Sequence, residues 1–493
     1  MTILAKDQVR SFQHLFIAGR WATPASGRRI EIISPITERR IGSVPAASEA
    51  DVDAAVKAAR ACFDSGAWPG LSPGERADAM LRVANEIEAR LPELIDAFVA
   101  EVGAPLSVSR RMNKTAVNFW RWNASWLRGY PFEEKRQWDD GSGLLVREPS
   151  GVAAAIIPWN GPAASIGIKA APALAAGCTV IAKPSWEGAA TTFLLAEAFE
   201  AAGLPDGAIS ILPGDRSVGE YLVAHPGVDR VSFTGSTAAG RRVMEVCSRR
   251  LTRVTLELGG KSAAIICDDA RTEDVIPSLI PSSVGNNGQR CASLTRLLIA
   301  RSRYKETVEA VGAALAALRV GDPFDPETDE GPLVSQGQRD RVERYIRLGR
   351  EAGARIVTGG GRPSSLDKGW YVQPTLFADA DNSMAVAREE IFGPVVVAIP
   401  FEHDEDPVAI ANDSEFGLSG AVYSADPDRA LRIARRIRSG QVYVNSAGVC
   451  PVQPFGGFKQ SGFGREGGKD GIGEYLETKL LAGVPANSNA HTG

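Results

Sequence analysis

Histidine and cysteine are scarce in this chain, four and six residues in 493. The histidines are His14, His225, His403 and His491; the cysteines are Cys62, Cys178, Cys247, Cys267, Cys291 and Cys450. No C-x-x-C occurs and no His or Cys has zinc-ligand spacing, so no metal site is expected. The scattered cysteines give no disulfide framework and point to free thiols in a reducing, cytoplasmic compartment. Long apolar runs are lacking too. None reaches the roughly 18 residues that span a bilayer, so no membrane is expected, and "MTILAKDQVR" at 1–10 has no apolar signal core. Neither sign of charge dominates. The balance is 55 basic against 59 acidic residues, a formal net charge of -4, which gives no reason to expect nucleic acid or another polyanion as a partner. The clusters "SRR" (109–111) and "IARRIRSG" (433–440) read as solvated helix faces.

What remains is ordinary for a soluble enzyme, 44% hydrophobic and 23% charged, and long enough for two or three domains. Residues 15–35 alternate apolar and polar side chains around Gly19, the pattern of a small hairpin. From 51 to 102 the pattern is helical, with Ser48 and Ser72 as caps. From Gly151 on, short apolar runs ("VAAAIIP", "CTVIAKP", "AISILPG", "DRVSFTG") alternate with helical segments. Strands buried on both faces and joined by helices predict a parallel α/β sheet, with ligands at the carboxyl ends of its strands. A second such pattern follows "ELGGKS" at 257–262, through "SAAIICDD", "TRLLIA" and "RIVTGG". The expected fold is therefore two doubly wound α/β domains with a crevice between them.

Several segments carry chemistry, each with a plainer alternative. In "GNNGQRC" (285–291) Cys291 follows glycines and amides with no apolar period, so it is open as a filler or a nucleophile. "SFTGSTAAG" (232–240) is a strand, a glycine turn and a helix start. The free N–H groups there suit a phosphate, although an ordinary strand-to-helix turn has the same pattern. It is neither G-x-G-x-x-G nor a P-loop. Asn160 in "IIPWNGP" could donate to a developing oxyanion or merely hold its own turn. Lys183 in "KPSWEG" could meet a ribose or phosphate, although a solvated charge is the reading its segment favours in isolation. Glu257 closes the apolar run "VTLEL", where desolvation raises a carboxyl pKa and suits it to be a general base; a structural ion pair is the alternative. "REEIFGPV" (388–395) and "PFGGFKQSGFGRE" (454–466) suggest no mechanism singly.

Taken together, these segments resemble the aldehyde dehydrogenase superfamily over nearly the whole chain. Seven motifs come in family order: PWN at 158–160, KPS at 183–185, FTGS at 233–236, ELGGKS at 257–262, N-x-G-Q-x-C at 286–291, EEIFGPV at 389–395 and PFGG-x-K at 454–459. The resemblance implies a Rossmann-like NAD(P)-binding domain at 1–130 and 150–259 and a catalytic domain at 260–460. It implies an oligomerisation segment at 131–149 and 461–493, with a bridging β hairpin and a C-terminal tail, in a homodimer or homotetramer. It makes Cys291 the nucleophile, the Asn160 amide and the Cys291 N–H the oxyanion hole, and Glu257 the base that activates water. Glu466 matches a carboxylate near the water path. For the cofactor it places Lys183 at the adenosine ribose, Ser236 with Gly235 and Gly240 at the pyrophosphate, and Glu390 with Phe392 at the nicotinamide ribose. Ile156, Pro158, Trp159, Ser185, Trp186, Gly214, Phe233, Leu258 and Gly259 complete that site.

The chain departs from the family pattern in two places. Where NAD-linked relatives carry Glu three residues after the lysine, this chain has Trp186, with Glu187 next. NAD is the expected cofactor because no Arg or Lys adjoins Trp186 to receive a 2′-phosphate; NADP stays open. Gly161, Ser165, Ile168 and Gly285 stand where tight-tunnel relatives carry bulkier residues. They imply a wide pocket for a bulky or hydrophobic aldehyde, unless residues elsewhere, such as Trp122 or Trp126, refill the space. Arg290, Ala292, Cys450 and Phe455 are expected to line the same pocket. Two rival readings stand beside hydrolytic oxidation. One is a CoA-acylating semialdehyde dehydrogenase, which the presence of Glu257 opposes. The other is a non-catalytic scaffold, which Cys291, Glu257 and Asn160 together oppose.

Overall fold

A computed structural model describes residues 8–448 and 450–484. The expected loose tail at 486–493 lies outside the described residues. Two large sheets organise the chain. The first has eight strands, and its centre is five parallel strands in the order Arg253–Glu257, Arg230–Thr234, Val152–Ile157, Thr179–Pro184, Ile209–Ile211. These are the predicted apolar runs, and they are nearly continuously buried, as strands covered by helices on both faces must be. The hairpin Leu15–Ile17 and Arg20–Ala22 closes one edge, turning at Ala18 and Gly19, both at positive φ. The two-residue strand Gly462–Phe463 closes the other edge, antiparallel to the strand that ends in Glu257. It lies inside the segment expected to serve oligomerisation.

The second sheet has seven strands. Six are parallel, among them Ser262–Ile266, Leu294–Ala300 and Val395–Phe401, and Arg355–Thr358 is an antiparallel edge. A three-stranded antiparallel sheet pairs Gly141–Pro149 with Glu133–Trp138 and with Leu476–Ala482. Ser48 and Ser72 cap helices Glu49–Asp64 and Pro73–Ala89, each within a capping box. No described helix is long and apolar enough to cross a membrane.

Parallel pairing decides where the site lies. Ile156 pairs with Lys183 and with Phe233, and Thr234 pairs with Glu257. Four successive strand ends therefore deliver Asn160, Lys183, Ser236 and Glu257 to one edge of the first sheet.

Candidate active site

The turn bearing Cys291 follows helix Thr272–Val284. Asn286, Asn287 and Gly288 all have φ near +60°. Asn tolerates this left-handed backbone better than other residues with a side chain, and at 288 only glycine fits. A Cβ there would lie 2.1 Å from the Gly393 carbonyl carbon. The amides fix the turn. Asn287 donates to the Gly103 and Pro332 carbonyls at 2.9 and 2.8 Å and accepts from Gly331 N–H at 2.7 Å. Gln289 Oε1 accepts from Val334 N–H at 3.0 Å. Asn160 Nδ2 donates to the Gln289 carbonyl at 3.0 Å, and Asn286 Nδ2 donates to the Asn160 carbonyl at 3.1 Å. The oxyanion candidate and the nucleophile turn are thus bonded to each other, and the second Asn160 amide hydrogen stays available.

Burial raises the Cys291 thiol to about 12, with the negative charges of Glu390 and Glu257 adding to it; Arg290 and the Ala292 N–H pull the other way. The sulfur is a neutral thiol at rest. Glu257 is 3% exposed, and among the described residues neither carboxylate oxygen has a hydrogen-bond partner. Burial, then the charge of Glu466, holds its pKa well above the carboxylate range. Among the described residues no salt bridge forms at Glu257, so the ion-pair alternative is not realised there. The ion pair sits one step away, where the fully buried Lys169 ammonium donates to Glu466 and, at 3.0 Å, to Ser232 Oγ.

The glycines around these groups make room for each other's side chains. A Cβ at Gly259 would meet Glu390 Oε2 at 2.4 Å, one at Gly260 would meet the Cys291 carbonyl at 2.7 Å, and one at Gly456 would meet Glu257 Oε1 at 2.7 Å. This is the physical content of ELGGKS and PFGG. Glu390 accepts from Gly260 N–H at 3.1 Å, and Phe392, at φ +64°, packs edge-on to Trp159 with centroids 5.5 Å apart. Phe455 pairs through its backbone with Glu466. Leu258 packs on Gly240, and Gly214 on Val218.

A cavity of about 150 Å³ is lined by Ile156, Lys183, Phe233, Val243 and Val246, together with Arg216 and Arg242. Its apolar walls suit a flat base. At its edge Ser236 caps the 12-residue helix Thr237–Ser248, accepting from Ala239 N–H at 3.3 Å. Apolar slot, helix start and the carboxylate of Glu390 fit a dinucleotide. Lys183 is not the solvated charge its segment favours in isolation. It is buried, and desolvation lowers it to about 8. Trp186 is 49% exposed, while Glu187 accepts from Ser185 Oγ and bears electrostatically on Lys183.

At two of the expected pocket residues the adjoining space is taken. A Cβ at Gly161 would lie 2.4 Å from Met112 Cε, so Met112 is the residue that takes that volume, as the refilling alternative allows. Gly285 does not present a vacancy to a tunnel either, since its Cβ would meet the Pro281 carbonyl oxygen at 2.4 Å. Ser165 and Ile168 are partly exposed on one face of helix Pro162–Ala176, and Arg290 and Cys450 are also partly exposed, while Ala292 is buried. Sequence reasoning missed Lys169, Ser232, Met112 and Arg216. Only Lys169 left a signal, as the single charge in an apolar helix.

Comparison with known proteins adds independent evidence. The family model described as the aldehyde dehydrogenase family matches residues 21–481. The chain is 49% identical to a geranial dehydrogenase of Castellaniella defragrans over 471 residues, covering 95% of this chain and 98% of that protein. It is 41% identical to a 3-succinoylsemialdehyde-pyridine dehydrogenase of a Pseudomonas species, covering 96% and 99%. A crystal structure of a Mycobacterium tuberculosis aldehyde dehydrogenase complexed with NAD+ superposes with a TM-score of 0.95 at 43% identity, covering 98% of this chain and all of that one.

Proposed function

Because the chain belongs to the aldehyde dehydrogenase family, we propose that it oxidises a bulky or hydrophobic aldehyde to the carboxylic acid, with NAD as hydride acceptor. The observation that carries this reading is the unpartnered, buried Glu257 carboxyl electrostatically adjacent to the Cys291 thiol. An unbonded carboxyl in an apolar setting is costly and serves where a proton must be taken up. The thiol releases its proton to solvent as the sulfur adds to the aldehyde carbon, giving a thiohemiacetal. The new oxyanion lies against the Asn160 amide and the Cys291 backbone N–H. Bound NAD supplies the acceptor for the hydride that leaves this carbon. The product on Cys291 is a thioester. Glu257 then takes a proton from water as it attacks, and the acid leaves with the thiol restored.

Lys183, Ser185, Ser236, Glu390 and Phe392 are the proposed cofactor contacts, in the roles family position implies. The bulky-substrate reading draws on the geranial dehydrogenase relative and on the partly exposed Ser165 and Ile168, since Gly161 and Gly285 do not support it. We also propose the division into cofactor domain, catalytic domain and oligomerisation segment, and a homo-oligomer in the cytoplasm. The three-stranded sheet exposes Trp138, Leu480 and Leu481, a surface that suits a second copy. Turnover with NAD and a panel of aldehydes, with the acid identified as product, tests the central reading. A requirement for CoA, with acyl-CoA as product, would replace it with the acylating class.

A further inference from the structure

A second and much smaller cavity, about 10 Å³ in volume, is lined by Lys261, Ser262, Arg296, Phe416, Ser419 and Ser439, with no aspartate or glutamate in its wall. Arg296, in strand Leu294–Ala300, and Lys261 are both buried. Arg296 spends four of its five N–H donors on uncharged oxygens. These are the Lys261 carbonyl and Asn382 Oδ1, each at 2.9 Å, and the Ile410 and Ala411 carbonyls at 3.2 and 2.8 Å. One N–H of Nη2 is left over. Asp413, the carboxylate that acts on Arg296 across space, is ion-paired with Arg388 at 2.8 Å. Lys261 Nζ and Ser262 Oγ have no hydrogen-bond partner among the described residues. Burial, then the charge of Arg296, lowers the Lys261 amine to about 7; Glu390 and Glu389 act on it across space without bonding to it.

These groups leave positive charge uncompensated inside the second sheet. An arginine cannot shed its proton, and a buried charge with no counter-ion is costly. Carbonyl dipoles offset part of that cost and leave the net charge in place. Loss of the Lys261 proton relieves only the lysine. A water molecule in the cavity satisfies donors and leaves the charge of Arg296, whereas an anion answers both. The volume is about that of one water-sized sphere. It excludes phosphate and carboxylate groups and suits a single atom. The hydroxyls of Ser262, Ser419 and Ser439 supply further donors. Phe416 and Ser439 are partly exposed, which gives an ion a way in from solvent.

We infer that the cavity lined by Lys261, Ser262 and Arg296 binds a halide ion, chloride in the cell, as a counter-ion for the second sheet. The site is separate from the reacting groups. It anchors the residue that follows Gly259 and Gly260, the two glycines on which Glu390 and the Cys291 carbonyl pack. It does not depend on which aldehyde is oxidised.

Bromide is the probe in crystals of the full-length enzyme soaked in sodium bromide. Diffraction at the bromine absorption edge is expected to show an anomalous peak in this cavity, against Lys261 Nζ and Ser262 Oγ. In solution, sodium chloride is expected to raise Tm by about 1–2 °C over sodium gluconate at equal ionic strength, because gluconate is too large to enter. Lys261→Met is expected to remove both the peak and the Tm difference. Ser262→Ala keeps both basic residues. It is expected to retain the peak with a smaller Tm difference, and it decides the matter if Lys261→Met does not fold. A cavity without anomalous signal, with a water molecule refined in it, would overturn the inference. A Tm difference equal in wild type and both variants would also overturn it, because the halide would then act on the protein surface.

Discussion

The turn that carries Cys291 is held at nearly every residue, whereas the segment around Lys183 is held at few. In the turn, three consecutive left-handed residues, a glycine that backs onto Gly393, and amides reaching Gly103, Pro332 and Val334 fix the backbone that leads into Cys291. Around Lys183, the strand end is buried, but Trp186 is half-exposed and the Glu187 carboxylate, among the described residues, is bonded to Ser185, two residues away. The contrast separates two tasks. The attacking atom needs fixed geometry, since a misplacement of about 1 Å costs roughly 100-fold in rate. Choice between cofactors that differ by one phosphate needs only charge, which exposed side chains supply and substitutions change without disturbing the fold.

Substitutions on the two sides of this contrast are expected to differ in size and kind. Cys291→Ala removes the atom that forms the covalent bond. Aldehyde oxidation should fall by roughly 10⁴-fold or more while NAD binding, read by fluorescence titration, is retained. Glu257→Gln keeps the shape and removes the base, and steady-state turnover should drop by roughly 10²–10⁴-fold. Gly288→Ala tests the turn itself. A methyl directed at Gly393 from a backbone at φ +66° should cost about 2–4 kcal/mol of stability, seen as a lower Tm. Unchanged Tm and rate would mean that the turn is not over-determined.

The cofactor side should respond more gently. Glu187→Gln should raise the NADP to NAD ratio of kcat/KM by about 5- to 10-fold with no change in Tm, because one carboxylate that repels a 2′-phosphate is gone. An unchanged ratio would pass the role to Arg216 and Arg242, which line the cavity.

The raised Glu257 pKa also fixes the sign of the pH dependence. Below that pKa the carboxyl is protonated and cannot accept a proton, so kcat should rise with pH as Glu257 ionises. The limb should vanish in Glu257→Gln. Because the thiol is raised to about 12, alkylation of Cys291 in the free enzyme should still be climbing at pH 9.

How far these features can be read from sequence depends on their range. The parallel strands were legible because burial on both faces writes a continuous apolar run, as in Val152–Ile157 and Thr179–Pro184. The nucleophile turn was legible because left-handed backbone demands Asn and Gly at fixed places. The Lys169–Glu466 pair was not, since its members are 297 residues apart and meet only once Gly462–Phe463 has joined the first sheet. Two residues are too short to show strand periodicity. What fills the space beside Gly161 was not legible for the same reason. A small residue signals room only if no distant side chain enters, and Met112 arrives from another helix.

The measurement that bears most directly on the central claim is stopped-flow NADH formation in Glu257→Gln with saturating aldehyde and NAD. If Cys291 is acylated first and Glu257 then activates water, NADH should appear in a rapid burst approaching one equivalent per active site, followed by a slow steady rate. A slow rate with no burst would mean that Glu257 is needed before hydride transfer, and unchanged steady turnover would contradict its role altogether.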